Sequence, residues 1–172
     1  MVHGILIMGP NGSGKTTLSR HLAGLIGYKH MDAEAYYFPD ASAAYAQSRT
    51  REEVRDLMLS DIQTHRNFIL TSVNGDMGSR INALYDCIVY LEVPLDVRMK
   101  RVRQRSLDKF GDRMREGGDL YEVEQNFFRF VANRSMQHAD DWVQTMSCPV
   151  IRLDGQEPIE KNAQRLIEQL GL

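Results

Sequence analysis

Short, wholly apolar runs alternate along this chain with longer stretches whose apolar positions recur every three or four residues. Ile5-Leu6-Ile7-Met8 is the first run, and four apolar residues bounded by glycine predict a short strand buried on both faces. Leu18, Leu22, Leu25 and Ile26 follow at helical spacing, with Gly27 as the stop. Residues 28–31 predict a second strand ending at Asp32, and residues 40–50, rich in Ala, Ser and Gln, predict no element. Val54, Leu57, Met58, Asp61 and Ile62 place a helix over 51–65. Phe68-Ile69-Leu70-Thr71 and Cys87-Ile88-Val89-Tyr90-Leu91 predict the third and fourth strands. Pro94 then opens a helix with Leu95, Met99 and Val102 on one side, which a polar, glycine-containing stretch over 106–119 interrupts. Val123, Phe127, Phe130, Val131 and Met136 predict one long helix over 121–145, and Trp142 and Phe128 join Phe127 and Phe130 as expected core or helix-packing residues, with a stacking site as the alternative. Residues 149–153 predict a fifth strand. A last helix has Pro158 near its first turn and Ile159, Ala163, Leu166, Ile167 and Leu170 on its buried face.

Strands that alternate with helices pair in parallel and are covered on both faces, so the fold class is α/β. With 172 residues, no internal repeat and no linker, a single domain over 1–172 is expected. The formal net charge of −2 gives no general attraction to nucleic acid, and no nucleic-acid partner is expected. Two cysteines, Cys87 and Cys148, suit free thiols in a reducing compartment. The five histidines show no metal spacing. The first residues have neither the apolar length of a secretory leader nor that of a membrane span, so a cytoplasmic protein without a membrane partner is expected. The pattern leaves the oligomeric state open.

Gly9-Pro10-Asn11-Gly12-Ser13-Gly14-Lys15-Thr16 fits G-x-x-x-x-G-K-[ST] at every position, between a predicted strand and a predicted helix. Glycines let successive backbone N–H groups curl around a phosphate, and the helix start adds the positive end of its dipole. Lys15 is the candidate bridge between β- and γ-phosphates, and the Thr16 hydroxyl the candidate ligand for Mg²⁺, with Thr17 beside it. ATP and Mg²⁺ are therefore the expected cofactors.

No Leu-Ser-Gly-Gly-Gln-like transporter signature and no Asn-Lys-x-Asp base-reading motif accompanies this loop. The remaining chain resembles the small P-loop kinases of the nucleoside-monophosphate kinase and shikimate kinase group. The resemblance spans essentially the whole sequence, and the phosphate loop is its specific motif. It implies a three-layer fold, with a five-stranded parallel sheet in the order 2-3-1-4-5 and a small lid at about 106–120. It also implies transfer of the γ-phosphoryl group of ATP to a hydroxyl or phosphate of a small-molecule acceptor. A nucleoside-monophosphate kinase and a nucleotide-binding regulator without catalysis are the alternatives.

Within that resemblance, Asp32 and Glu34 are similar to the Asp-x-Asp of shikimate kinases. Asp32 would serve the metal or the acceptor hydroxyl and Glu34 the acceptor; a plain helix cap at Asp32 is the other reading. The loop after the third strand, with Asn74 and Asp76, matches neither branch of the group, and either a site or an ordinary turn fits it. Arg98, Arg101 and Arg105 share one face of their helix and lead, with Lys109 and Arg113, into the lid. Arg101 and Arg105 are the expected catalytic cations and Arg113 an acceptor contact, against the alternative of a solvated basic face. Pro158 or the Gly155 backbone would lie against adenine, or simply start a helix. Arg49 and Arg51 stand where an anionic acceptor group would be clamped, or begin a surface helix. No acid follows the third strand, so the burden of metal or base falls on Asp32.

Overall fold

The computed structural model describes residues 3–39 and 48–172; most of the stretch 40–50, which the pattern left without an element, lies outside them. Five strands, β1 (Gly4–Met8), β2 (Lys29–Asp32), β3 (Phe68–Ser72), β4 (Cys87–Glu92) and β5 (Val150–Asp154), form one sheet in the order β2-β3-β1-β4-β5. Every pairing is parallel, with Ile5 opposite Ile69 and Cys87, and Asp32 opposite Thr71. The expected sheet order is the observed one.

Side-chain alternation along the strands divides the core into two layers. Ile5, Ile7, Ile69 and Val89 face α1 (Lys15–Ile26) and α8 (Ile159–Leu170). Leu6, Met8, Leu70 and Ile88 pack with Val54, Met58 and Ile62 of α3 (Arg51–His65), and with Ala139 and Val143 of α7 (Gln137–Gln144). The helices meet the sheet along narrow i, i+4 stripes, which is why Leu25, Leu57 and Leu95, expected on buried faces, are exposed. α3 begins where expected because Thr50 and Glu53 form a reciprocal capping box. The exposed edge strand β5 is blunted by Arg152, which pairs with Glu92 at 2.6 Å and lies over the Tyr90 ring.

Two expectations about elements are corrected. Helix α5 (Leu95–Phe110) runs past Ser106, and a single 3-10 turn, Gly111–Met114, follows it. Leu107 and Lys109 are good helix formers, and the stretch is interrupted only at Gly111. The helix expected over 121–145 is two helices, α6 (Tyr121–Asn133) and α7, with Arg134 extended between them. Ser135 Oγ accepts from Gln137 N at 3.1 Å, a local bond that competes with helix continuation. Two short helices, α2 (Ala33–Tyr37) and α4 (Ser79–Asn82), are too brief to show a period. A third, smaller core forms where Val102 of α5 meets Phe128 and Val131 of α6.

Candidate functional site

The phosphate loop leaves the buried centre of the sheet at Met8 and enters α1 at Lys15. Gly12 and Gly14 hold φ of +81° and +96°, the left-handed region that favours glycine. A Cβ at Gly12 would also stand 2.7 Å from Arg98 O. The loop therefore curls tightly against α5. The Ser13 hydroxyl is buried inside it without a hydrogen-bond partner. Lys15 folds back to donate to Pro10 O at 3.0 Å. Burial lowers its pKa to about 8, opposed by Asp32 and Glu34 and assisted by Arg105 and Arg134.

Parallel pairing brings the end of β2 beside this loop. Thr16 Oγ1 donates to Asp32 Oδ2 at 3.2 Å, while Asp32 Oδ1 accepts from Glu34 N at 3.1 Å and caps α2. The cap reading of Asp32 holds, and it leaves the second carboxylate oxygen facing the phosphate loop. The cap fixes the carboxylate, and the fixed carboxylate meets the loop threonine. A hydroxyl and a carboxylate are the hard oxygen donors that Mg²⁺ takes alongside substrate phosphates. Among the described residues no cluster of three or more His, Cys, Asp or Glu could hold a metal unaided. The donors present fit an ion that arrives with a nucleotide.

A cleft of about 1010 Å³ opens over Lys15, Thr16 and Asp32, with Glu34, Asn74 and Arg105 also on its walls. Arg134, which sequence reasoning missed, spans it. Its guanidinium donates to Asn11 Oδ1 and to Asn74 Oδ1, each at 3.2 Å, joining the phosphate loop to the loop after β3. Burial lowers its pKa. The break between α6 and α7 turns it inward, and the Asn133-Arg134-Ser135 interruption was the signal that could have found it.

The loop carrying Asn74 is held from several sides. Arg55 Nε donates to Met77 O at 2.9 Å, and Asp76 accepts from Gly78 N at 2.9 Å and Asn82 Nδ2 at 2.7 Å. The Asn82 bond holds the Asp76 carboxyl below its ordinary range. Trp142 lies directly over Gly75, and Tyr85 meets Trp142 edge-on while donating to Gly75 O.

Other expected site residues are placed differently. Arg101 donates to Gly155 O at 3.0 Å through both terminal nitrogens and to Gly12 O at 3.4 Å, so it ties the phosphate loop to the loop after β5 instead of standing over the cleft. Arg98 likewise reaches Asn11 O. The exposed Arg113 pairs with Asp119 at 2.7 Å and lies off the cleft wall. Arg49 turns back to donate to Tyr36 O, whereas Arg51 lines the cleft. These placements share a cause: a carboxylate or backbone carbonyl of the protein already satisfies each guanidinium. Pro158 is the exposed residue preceding α8, Thr17 is exposed in the first turn of α1, and Gly9 sits at the loop's entrance against Leu91 O. The phenylalanine cluster splits, since Phe128 is buried while Phe127 and Phe130 reach the cleft.

Comparison with known proteins agrees with this fold. The model of a family described as an AAA domain, AAA_18, matches residues 5–127. The chain is 26% identical to the uncharacterized protein YqaC of Bacillus subtilis, with 99% of each chain covered. It is 24% identical to a shikimate kinase of Acinetobacter baylyi, covering 87% of this chain and 90% of that one. The crystal structure of a shikimate kinase from Bacteroides thetaiotaomicron superposes over 100% of both chains with a TM-score of 0.59 at 20% identity, a likeness of fold. Among the described residues no helix is long and apolar enough to cross a membrane. The chain belongs to the AAA-domain family and is similar, over most of its length, to small P-loop kinases of the shikimate kinase-like group.

Proposed function

We propose that this protein transfers the γ-phosphoryl group of Mg·ATP to an oxygen of a small-molecule acceptor held in the cleft. The observation that carries the reading is the convergence of Lys15, Thr16 and Asp32 at the base of one cavity of about 1010 Å³. That volume accommodates a nucleotide's phosphates and a second small molecule together. The Thr16 and Asp32 oxygens would hold Mg²⁺, which when bound neutralises charge on the phosphates. Lys15 would release Pro10 O and pair with phosphate oxygens, and its buried position strengthens that pairing.

Asp32 is also the acid best placed to take the acceptor's proton if the acceptor is a hydroxyl, because Thr71 and Ser72 at the end of β3 supply none. Arg105 would stand over the group in transfer, and Glu34, Asn74 and Arg134 would meet the acceptor. Arg101 would act one step back, keeping the phosphate loop and the loop after β5 in register. The segment from Ser106 to Leu120 would close as a lid, with Arg113 on it, and exclude water.

The test is ADP formation from Mg·ATP with pooled small-molecule acceptors, with Lys15→Ala beside the wild type. Stimulation lost by more than a hundredfold in the variant is expected, the scale of removing one preorganised charge from a phosphoryl-transfer site. Unchanged turnover in Lys15→Ala would sink the assignment. Mg·ATP bound without acceptor-dependent ADP would favour a nucleotide-binding regulator instead.

A further inference from the structure

Two elements bring aromatic rings to the lining of the cleft. Tyr37 and Phe38 come from the end of α2. Phe127 and Phe130, one turn apart, come from α6. Phe130 is 55% exposed and Phe38 43%, and both line the same cavity; the Arg134 guanidinium lies 5.4 Å from the Phe130 centroid and covers one face of that ring. α6 has a buried face of its own in Phe128 and Val131, so Phe130 contributes nothing to that core. Exposed rings that line a cleft mark a binding surface more often than isolated surface residues do.

Some polar groups on these walls are engaged within the protein: Asp76 holds Gly78 N and Asn82, and Asn126 accepts from Arg129. Glu34, Arg51, Arg105 and His138 also line the cavity and can meet polar groups of the acceptor. The four rings add π-faces and apolar edges, which a flat ring fills and a polyol does not use.

We infer that the acceptor carries a planar aromatic ring, stacked between the α2 and α6 walls, with its accepting oxygen directed toward Lys15 and Asp32. This rests on the kinase reading above. Nucleosides, their monophosphates and hydroxylated aromatic acids share that chemistry, and the experiment separates them.

ADP formation from Mg·ATP is measured against three pools: nucleosides with nucleoside 5′-monophosphates, hydroxylated aromatic acids, and ring-free polyols with shikimate and sugar acids. Stimulation by either of the first two pools is expected, and which one responds names the source. Phe130→Ala should raise KM for the active compound about tenfold, the scale of losing one stacking partner, with KM for ATP unchanged and Phe130→Tyr restoring it. Stimulation by the third pool alone, or Phe130→Ala with an unaltered acceptor KM, overturns the ring and leaves the kinase standing. If no pool raises ADP, saturation-transfer NMR on the wild type with a non-hydrolysable ATP analogue decides. Ring protons that receive transfer, and lose it in Phe130→Ala, uphold the ring site while the kinase reading falls. No transfer to any ring compound overturns the inference itself.

Discussion

Burial and charge pull Lys15 in opposite directions, and the outcome has a definite pH signature. Its pKa falls from 10.5 to about 8 because desolvation outweighs the attraction of Asp32 and Glu34. Bound phosphate would raise it again, so nucleotide binding takes up a proton above that value. ATP affinity should be flat below about pH 8 and fall as pH rises through it. Titration calorimetry across this range checks the slope, and Lys15→Arg, charged throughout, should flatten it. The free protein has the opposite trend. A base whose folded pKa lies below its unfolded one adds stability as pH rises between the two, here from about 8 toward 10.5. Arg134 has its own consequence at this scale. Arg134→Ala removes both bridges to Asn11 and Asn74 and a cation from the cleft. Acceptor kcat/KM should fall about ten- to a hundredfold, as for other charge-assisted bonds of about 1.5–3 kcal/mol. Equal values for variant and wild type in steady-state kinetics would exclude a role in the site.

At the scale of elements, the loop after β3 shows how packing supplies what local sequence does not specify. Gly75 has φ +79° and carries Trp142 where a side chain would begin. Gly75→Ala must therefore strain the backbone and displace the ring, and should cost about 1–3 kcal/mol by urea denaturation. It should also raise acceptor KM more than ATP KM, since Asn74 and Asp76 move with the loop; unaltered stability would mean the contact bears no load. None of this is visible in the residues 72–78 alone, because Trp142 arrives from α7, far along the chain. Strands β1, β3 and β4, by contrast, are legible directly, as runs buried on both faces need only apolar residues in sequence. The phosphate loop is legible for a related reason, since its chemistry is local and its spacing fixed. Arg134 was hidden, and Phe130 was assigned to the packed face, because both sit on what reads as one unbroken helix. A polar Asn133-Arg134-Ser135 step within an apolar period carries little weight until tertiary contacts choose the break. Arg101 misled for the converse reason: helical spacing gave its face, but the carbonyls of Gly12 and Gly155 that it meets come from distant loops.

For the whole molecule, the three cores set what can move. The two layers on the sheet share β1, β3 and β4 and hold the phosphate loop at their centre. The third core, Val102 with Phe128 and Val131, belongs to α5 and α6 and leaves the turn between them on the surface. Arg113–Asp119 and Arg115–Asp112 knit that turn internally through exposed ion pairs, which contribute little to rigidity. A segment joined to the rest through so small a core opens at low free-energy cost, while sheet amides exchange only through global unfolding. If it closes as a lid, Mg·ATP with a bound acceptor should slow hydrogen exchange across residues 111–119 by at least about tenfold, the effect of a population shift of about 1.4 kcal/mol. Exchange in β1, β3 and β4 should change only as far as ligand binding stabilises the whole fold. Protection confined to residues 9–16, with 111–119 unaffected, would show that the cleft works open and that Arg105 alone serves the transferring group from this side. Protection of 111–119 by nucleotide without acceptor would put closure before acceptor binding, and the α6 wall would then be set by ATP before the acceptor reaches it.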